Sequence, residues 1–166
     1  MQKNQFKAKD IVKKGGFYIL AEEMNDPGNL GTVIRTAHAA GADGILLSNG
    51  SVDIYNSKVL RSTMGSIFKI PVVQNINLYE TAELLHKNGI KLYAAHLKGR
   101  KNHYEEDYTG GCAFLLGNEA RGLSEHAASL CDELIKIPMP GGAESLNASV
   151  AAAVLMYEAV RQKMLR

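Results

Sequence analysis

An α/β domain, with a mainly parallel sheet covered by helices on both faces, is the fold class that the sequence predicts. Short apolar runs rich in β-branched and aromatic residues recur along the chain, as strands buried inside a parallel sheet do. Amphipathic stretches of helical length separate them. Three glycine-containing loops lie between a strand and a helix, which implies βα units. The 166 residues suit one domain, at roughly 150 residues per domain.

In chain order, residues 1–16 read as a basic N-terminal arm or linker remnant, because Lys3, Lys7, Lys9, Lys13 and Lys14 face one acid, Asp10. Such a stretch either steers the protein toward phosphate or, more often, is a solvated tail. The folded domain is expected over 17–166. Its strands are expected at 17–21 (FYILA), 44–47 (GILL), 70–74 (IPVVQ), 91–95 (KLYAA), 112–116 (CAFLL) and 134–137 (LIKI). Helices are expected at 30–40, 78–88, 123–130 and 145–166. The last is the clearest, since Leu146, Val150, Val154, Tyr157, Val160 and Met164 recur at three- and four-residue steps. Ala148, Ala151, Ala152 and Ala153 keep its start slim enough for another backbone to approach.

Composition narrows the function classes. Hydrophobic residues make up 46% and charged residues 22%, as in globular chains, which excludes a disordered one. No apolar run approaches the ~20 residues of a membrane span, and the N-terminus lacks a signal-peptide core. A soluble, cytoplasmic protein is therefore expected. A net charge of +2 decides little about partners. Cys112 and Cys131 form no CxxC pair and have no histidine at zinc-ligand spacing, so core thiols and no metal are expected.

The three loops hold the candidate chemistry, because ligands of open parallel sheets bind outside the carboxyl ends of the strands. In Asn25-Asp26-Pro27-Gly28-Asn29-Leu30-Gly31, a helix starting near Asn29 places Arg35 one turn past Gly31 on the same face. A ligand resting on the bare glycine would lie within reach of that arginine, whose guanidinium can hold a phosphate. An ordinary turn with a surface arginine is the equal alternative. In the loop 116–124, Glu119 stands where a buried strand opens into a turn, a place for binding, catalysis or helix capping. In the loop 137–147, two prolines and two glycines fix an irregular path, and Ser145 or Asn147 is placed to cap the long helix. Signatures of a P-loop, a dinucleotide Rossmann site and a nucleophile elbow are missing.

Taken together, NDPGNLGTVIRTAHAAGADG, LLGNEARGLS and IPMPGGAESLNASVAAAVLMYE resemble, in order and spacing, the three motifs of the SpoU (TrmH) branch of the SPOUT RNA methyltransferases. RSTMGSIFKIPV resembles that family's intervening segment, and the likeness covers roughly residues 17–160. The resemblance implies an α/β knot, with the C-terminal part threaded into a deep trefoil knot, one of the exceptions to the rule against knots. It implies S-adenosylmethionine as methyl donor, a homodimer with the active site at the interface, and methylation of a ribose 2′-hydroxyl in ribosomal or transfer RNA. Asn29 and Arg35 match the first motif's asparagine and essential arginine, Glu119 the acid of the second, and Ser145 and Asn147 the serine and asparagine of the third. Cofactor contacts are implied at Gly117, Ile137 and Leu146, mainly through backbone, with Ala95 and Met139 lining the pocket. Ala120-Arg121 departs from the family's second motif, where a glycine commonly follows the acid.

Many relatives carry a small RNA-binding domain before the first motif, so the chain is expected to be either a catalytic core or a minimal enzyme. In the second case Lys58, Arg61, Lys69, Lys98, Arg100 and Lys101 are available for phosphate, although such lysines and arginines are also ordinary soluble surface. The rival from another class is a non-catalytic RNA-binding or assembly protein that kept the knot.

Overall fold

Strands apolar on both faces need a cover on each side, and the sequence supplies two sets of helices. The computed structural model describes residues 6–166, so Lys3 of the expected arm lies outside the described residues. Seven parallel strands form one sheet in the order β3-β2-β1-β6-β4-β7-β5. They are β1 (Phe17–Ala21), β2 (Gly44–Ser48), β3 (Val72–Ile76), β4 (Ile90–Ala95), β5 (Lys101–Asn102), β6 (Gly111–Leu116) and β7 (Glu133–Lys136). The helices are α1 (Ala8–Ile11), α2 (Pro27–Ala39), α3 (Ser57–Ser62), α4 (Leu78–Lys87), α5 (Glu125–Leu130) and α6 (Ala148–Met164).

Alternation along β1 and β6 divides the interior into two cores. Phe17, Ile19, Cys112, Phe114 and Leu116 face α2, α3 and α6, meeting Leu30, Val33, Ile34, Val59, Leu155 and Met156. Tyr18, Leu20, Ala113 and Leu115 face the other way, toward Ala82 and Leu85 of α4 and Ala127 of α5. Each fully buried Leu, Ile or Val contributes about 1.5–3 kcal/mol, so both layers are needed to hold the sheet.

Helix starts follow their capping residues. Asp26 accepts the Asn29 amide at 2.7 Å with Pro27 in the first turn, so α2 opens at Pro27. Asn147 accepts the Ser149 and Val150 amides, which starts α6 at Ala148 and leaves Ser145 in the preceding loop. The strand expected over 70–74 lies two residues later: Pro71 has no amide to donate, and Asn75 takes a left-handed φ of 59° where the register to β2 slips. Helix α3 and the two-residue β5 carried no sequence signal strong enough to be expected.

The expected N-terminal arm is docked along much of its described length. Ala8, Ile11 and Val12 pack against the second core, and the Tyr18 hydroxyl accepts the Lys13 amide and donates to the Ile11 carbonyl. Lys13 pairs with Asp43 at 2.6 Å. Apolar residues between the lysines, rather than the lysines themselves, decide where this segment goes.

One connection crosses a strand. β7 lies between β4 and β5, which are joined by residues 96–100. That link straddles β7: the His96 amide donates to the Ile135 carbonyl at 2.8 Å and the Arg100 amide to the Leu134 carbonyl. A Cβ on Gly99 would stand 2.5 Å from the Ile135 carbonyl carbon, so only glycine permits the crossing.

Candidate active site

Because every strand pairing is parallel, the connections after β1, β6, β4 and β7 all leave the same edge of the sheet. Gly117 directly follows β6, Ala95 ends β4 and Ile137 directly follows β7, and these three strands are adjacent. All three residues are half-buried, as are Met139 and Leu146 in the loop leading to α6. The Gly142 amide donates to the Met139 carbonyl at 2.9 Å, which turns that loop. Ala95, Gly117 and Ile137 thus stand where three adjacent strands end, and the half-buried apolar side chains of Met139 and Leu146 lie in the loop that follows. These residue types are suited to an aromatic ring with backbone groups at its margin.

Residues from the first and third motifs meet on the same side. The Asn147 side-chain amide donates to the Asn29 side-chain oxygen at 3.1 Å, although 118 positions separate them in the chain. Asn147 does this while its own oxygen caps α6, so one side chain ties two helix starts together. Glu119 accepts the Asp26 amide at 2.9 Å and the Asn25 amide at 3.2 Å. Its carboxylate therefore holds the entry to α2, three residues before Asn29. Ser124, not Glu119, caps α5 by accepting the Ala127 amide.

Arg35 stands on the exposed side of α2, about 9 Å along the helix axis from Asn29 at 1.5 Å per residue. Among the described residues no hydrogen bond or ion pair engages its guanidinium, and Ser145 is likewise exposed in the loop before α6. The structure thus brings Asn29, Asn147 and Glu119 to the start of α2, while Arg35 and Ser145 stay outside that hydrogen-bonded cluster. Gly31 does not offer the resting place for a ligand that its sequence context suggests. Gly31 is buried against α3, where a Cβ would lie 2.3 Å from Ser62 Cβ and 2.9 Å from the Val59 carbonyl oxygen.

Residues that the sequence did not single out organise the loop after β6. The Asn118 side-chain amide donates to the Glu23 carbonyl at 2.7 Å, and its oxygen accepts the Ala120 and Arg121 amides. Asn118 and Gly122 exchange backbone hydrogen bonds, closing the loop on itself. A Cβ on Gly117 would come within 2.5 Å of the Gly122–Leu123 peptide, so a bare residue is required there. Ala120 has no positive φ, which explains why a side chain is tolerated where the family commonly has glycine. Glu22 accepts both the amide and the hydroxyl of Ser124. An asparagine just after a strand is a turn signal that would have found Asn118; nothing local marks Glu22.

Among the described residues no cluster of three or more His, Cys, Asp or Glu side chains is arranged to hold a metal ion, and no helix is long and apolar enough to cross a membrane. An open groove of about 320 Å³ lies beside Phe6, Lys7 and the β3–α4 connection and contains none of the site residues.

Comparison with known proteins matches residues 16–157 to the SpoU rRNA Methylase family. The chain is 42% identical over 139 residues to the 23S rRNA (guanosine(2553)-2′-O)-methyltransferase RlmP of Bacillus subtilis, covering 84% of this chain and 56% of that protein. It superposes on the SpoU methyltransferase AviRb from Streptomyces viridochromogenes with a TM-score of 0.91 and 34% identity, covering 97% of this chain and 65% of the other. On the AdoMet-bound rRNA methyltransferase from Sinorhizobium meliloti the TM-score is 0.88 with 36% identity, covering 96% and 62%. The chain therefore spans somewhat under two thirds of the length of each of these relatives. Its sheet, its motifs and these matches agree, and the chain belongs to the SpoU rRNA methylase family.

Proposed function

We propose that the chain transfers a methyl group from S-adenosylmethionine to a ribose 2′-hydroxyl of RNA, with ribosomal RNA the favoured substrate. The observation that carries this reading is the Asn147–Asn29 hydrogen bond, which joins the third motif to the first beside the Glu119 anchor. Ala95, Gly117, Ile137, Met139 and Leu146 would hold the cofactor, and their half-buried apolar surface fits it. When bound, S-adenosylmethionine supplies a methyl group already activated by its sulfonium. The protein's task is then to place the ribose oxygen in line and favour loss of its proton.

Arg35, exposed and unpaired among the described residues, grips an RNA phosphate or the developing alkoxide. Asn29 and Asn147 offer amide groups to the ribose, Ser145 adds a hydroxyl from the neighbouring loop, and Glu119 fixes the entry to α2. Calorimetry should show S-adenosylmethionine binding, and tritiated methyl transfer to ribosomal RNA from cells lacking the gene should yield a 2′-O-methyl nucleoside. Cofactor binding without transfer to ribosomal or transfer RNA would favour the non-catalytic alternative, and no cofactor binding would overturn the proposal.

The reading includes a homodimer and a knotted chain acting in the cytoplasm. Val150, Tyr157 and Met164 lie exposed seven residues apart along α6, an apolar stripe that supports helix-to-helix pairing between copies. Sedimentation at micromolar concentration should give twice the 18.0 kDa chain mass, and a monomer would refute a shared site. The link 96–100 across β7, with Gly99 against the Ile135 carbonyl, supports the threading.

A further inference from the structure

The connection after β1 contains a side chain that local preference disfavours. Glu23 adopts a left-handed φ of 47°, a conformation that costs any residue with a Cβ. Several contacts impose it. Its amide donates to Ser48 Oγ at 2.9 Å and its carbonyl accepts from the Asn118 side chain at 2.7 Å. A Cβ on Gly50 would stand 3.2 Å from Glu23 Cγ, so that bare position leaves room for the side chain. The carboxylate then forms an ion pair with Arg121 at the tip of the loop after β6.

On stability alone this arrangement is unfavourable. Arg121 is largely exposed and Glu23 is half-buried, and ion pairs this open to solvent contribute little. What it produces is position. The Arg121 amide is held by Asn118, and between those two residues Glu119 projects to the Asn25 and Asp26 amides. Asp26 caps α2, and α2 carries Asn29 and Arg35. We infer that the Glu23–Arg121 pair is a positioning clasp: it locks the loop bearing Gly117 and Glu119 against the start of α2, and so holds the RNA-side residues in register with the cofactor side. The inference rests on the methyltransferase reading and deepens it. A displacement of about 1 Å between reacting groups costs on the order of a hundredfold in rate, so the clasp should be felt in turnover rather than in cofactor binding.

Three variants test this in the 166-residue chain: Arg121→Ala, Arg121→Lys and Glu23→Gly. The readouts are single-turnover methyl transfer at saturating ribosomal RNA from cells lacking the gene, S-adenosylmethionine affinity, melting temperature, and amide hydrogen exchange at Asn25 and Asp26. Arg121→Ala should slow transfer at least tenfold, leave cofactor affinity within twofold, and speed exchange at both amides about tenfold. Arg121→Lys should restore part of the rate. Glu23→Gly should melt at or above the wild type, since glycine accepts the left-handed backbone, and still lose transfer rate. Unchanged exchange in Arg121→Ala, or rate losses that simply follow melting temperature across the set, would overturn the clasp. If the wild type transfers no methyl group to RNA, the functional reading fails, whereas exchange at Asn25 and Asp26 still decides the clasp.

Discussion

Gly31→Ala separates helix packing from ligand contact at the one bare, buried position of α2. In isolation the change favours the helix, because alanine is better than glycine in a helix interior by about 1 kcal/mol. Against that stands a Cβ 2.3 Å from Ser62 Cβ and 2.9 Å from the Val59 carbonyl oxygen. Neither neighbour is the far end of a flexible chain, so α3 itself must move away. Overpacking of this kind costs about 1–3 kcal/mol, occasionally more, and two rigid contacts place this case at the upper end. The net loss is about 2 kcal/mol, or a fall of roughly 4–8 °C in melting temperature for a domain of this size. Thermal unfolding followed by circular dichroism measures it. Ser62→Gly in the same chain removes the first collision, so the double variant should recover at least about 1 kcal/mol beyond the sum of the single effects. A Gly31→Ala chain as stable as the wild type, but unable to bind S-adenosylmethionine or RNA, would refute the packing account and restore the ligand.

Arg35→Ala should abolish methyl transfer while cofactor affinity by calorimetry stays within about twofold; loss of cofactor binding by a folded variant would move Arg35 to the cofactor site. Glu158, buried on α6, accepts two hydrogen bonds from Arg161 and one from Gln162, and these hold its carboxyl below the ordinary carboxylate range. Its contribution is present above the unfolded value and is lost as pH falls through the lowered one, so Glu158→Gln should flatten the acid limb of the stability profile below about pH 4.5. Equal slopes in the two proteins would refute that. Burial pushes the Cys112 thiol up to about 11 and the Cys131 thiol up to about 12. Iodoacetamide at pH 8 should therefore alkylate the folded chain at least about tenfold more slowly than the unfolded one, and fast labelling of either thiol would show an exposed thiolate.

The pattern of residues along the chain was enough to set the βα alternation, the amphipathic helices and the loops at one end of the strands. Those features follow from local rules: a strand such as Phe17–Ala21 must be apolar on both faces to be buried between helix layers, and α6 must repeat its apolar residues at helical steps. It also marked Asn29, Glu119 and Asn147, because the three loops that hold them resemble the SpoU motifs in order and spacing, and Asn147 was in addition placed to cap α6. Tertiary structure decided what those residues touch. Contacts such as Asn147 to Asn29 and Glu119 to Asp26 join residues 118 and 93 positions apart, and no local pattern encodes them. The strand order, with β7 between β4 and β5, is equally non-local, since it depends on which edges remain unpaired once the other strands have met. Gly31 shows the difference most plainly: its sequence context suggested a place for a ligand, whereas the approach of α3, fixed by burial of Val59, made it a packing surface. Glu23 is the converse case, a residue with no sequence signal whose backbone is held left-handed by partners from the end of β2 and from the loop after β6.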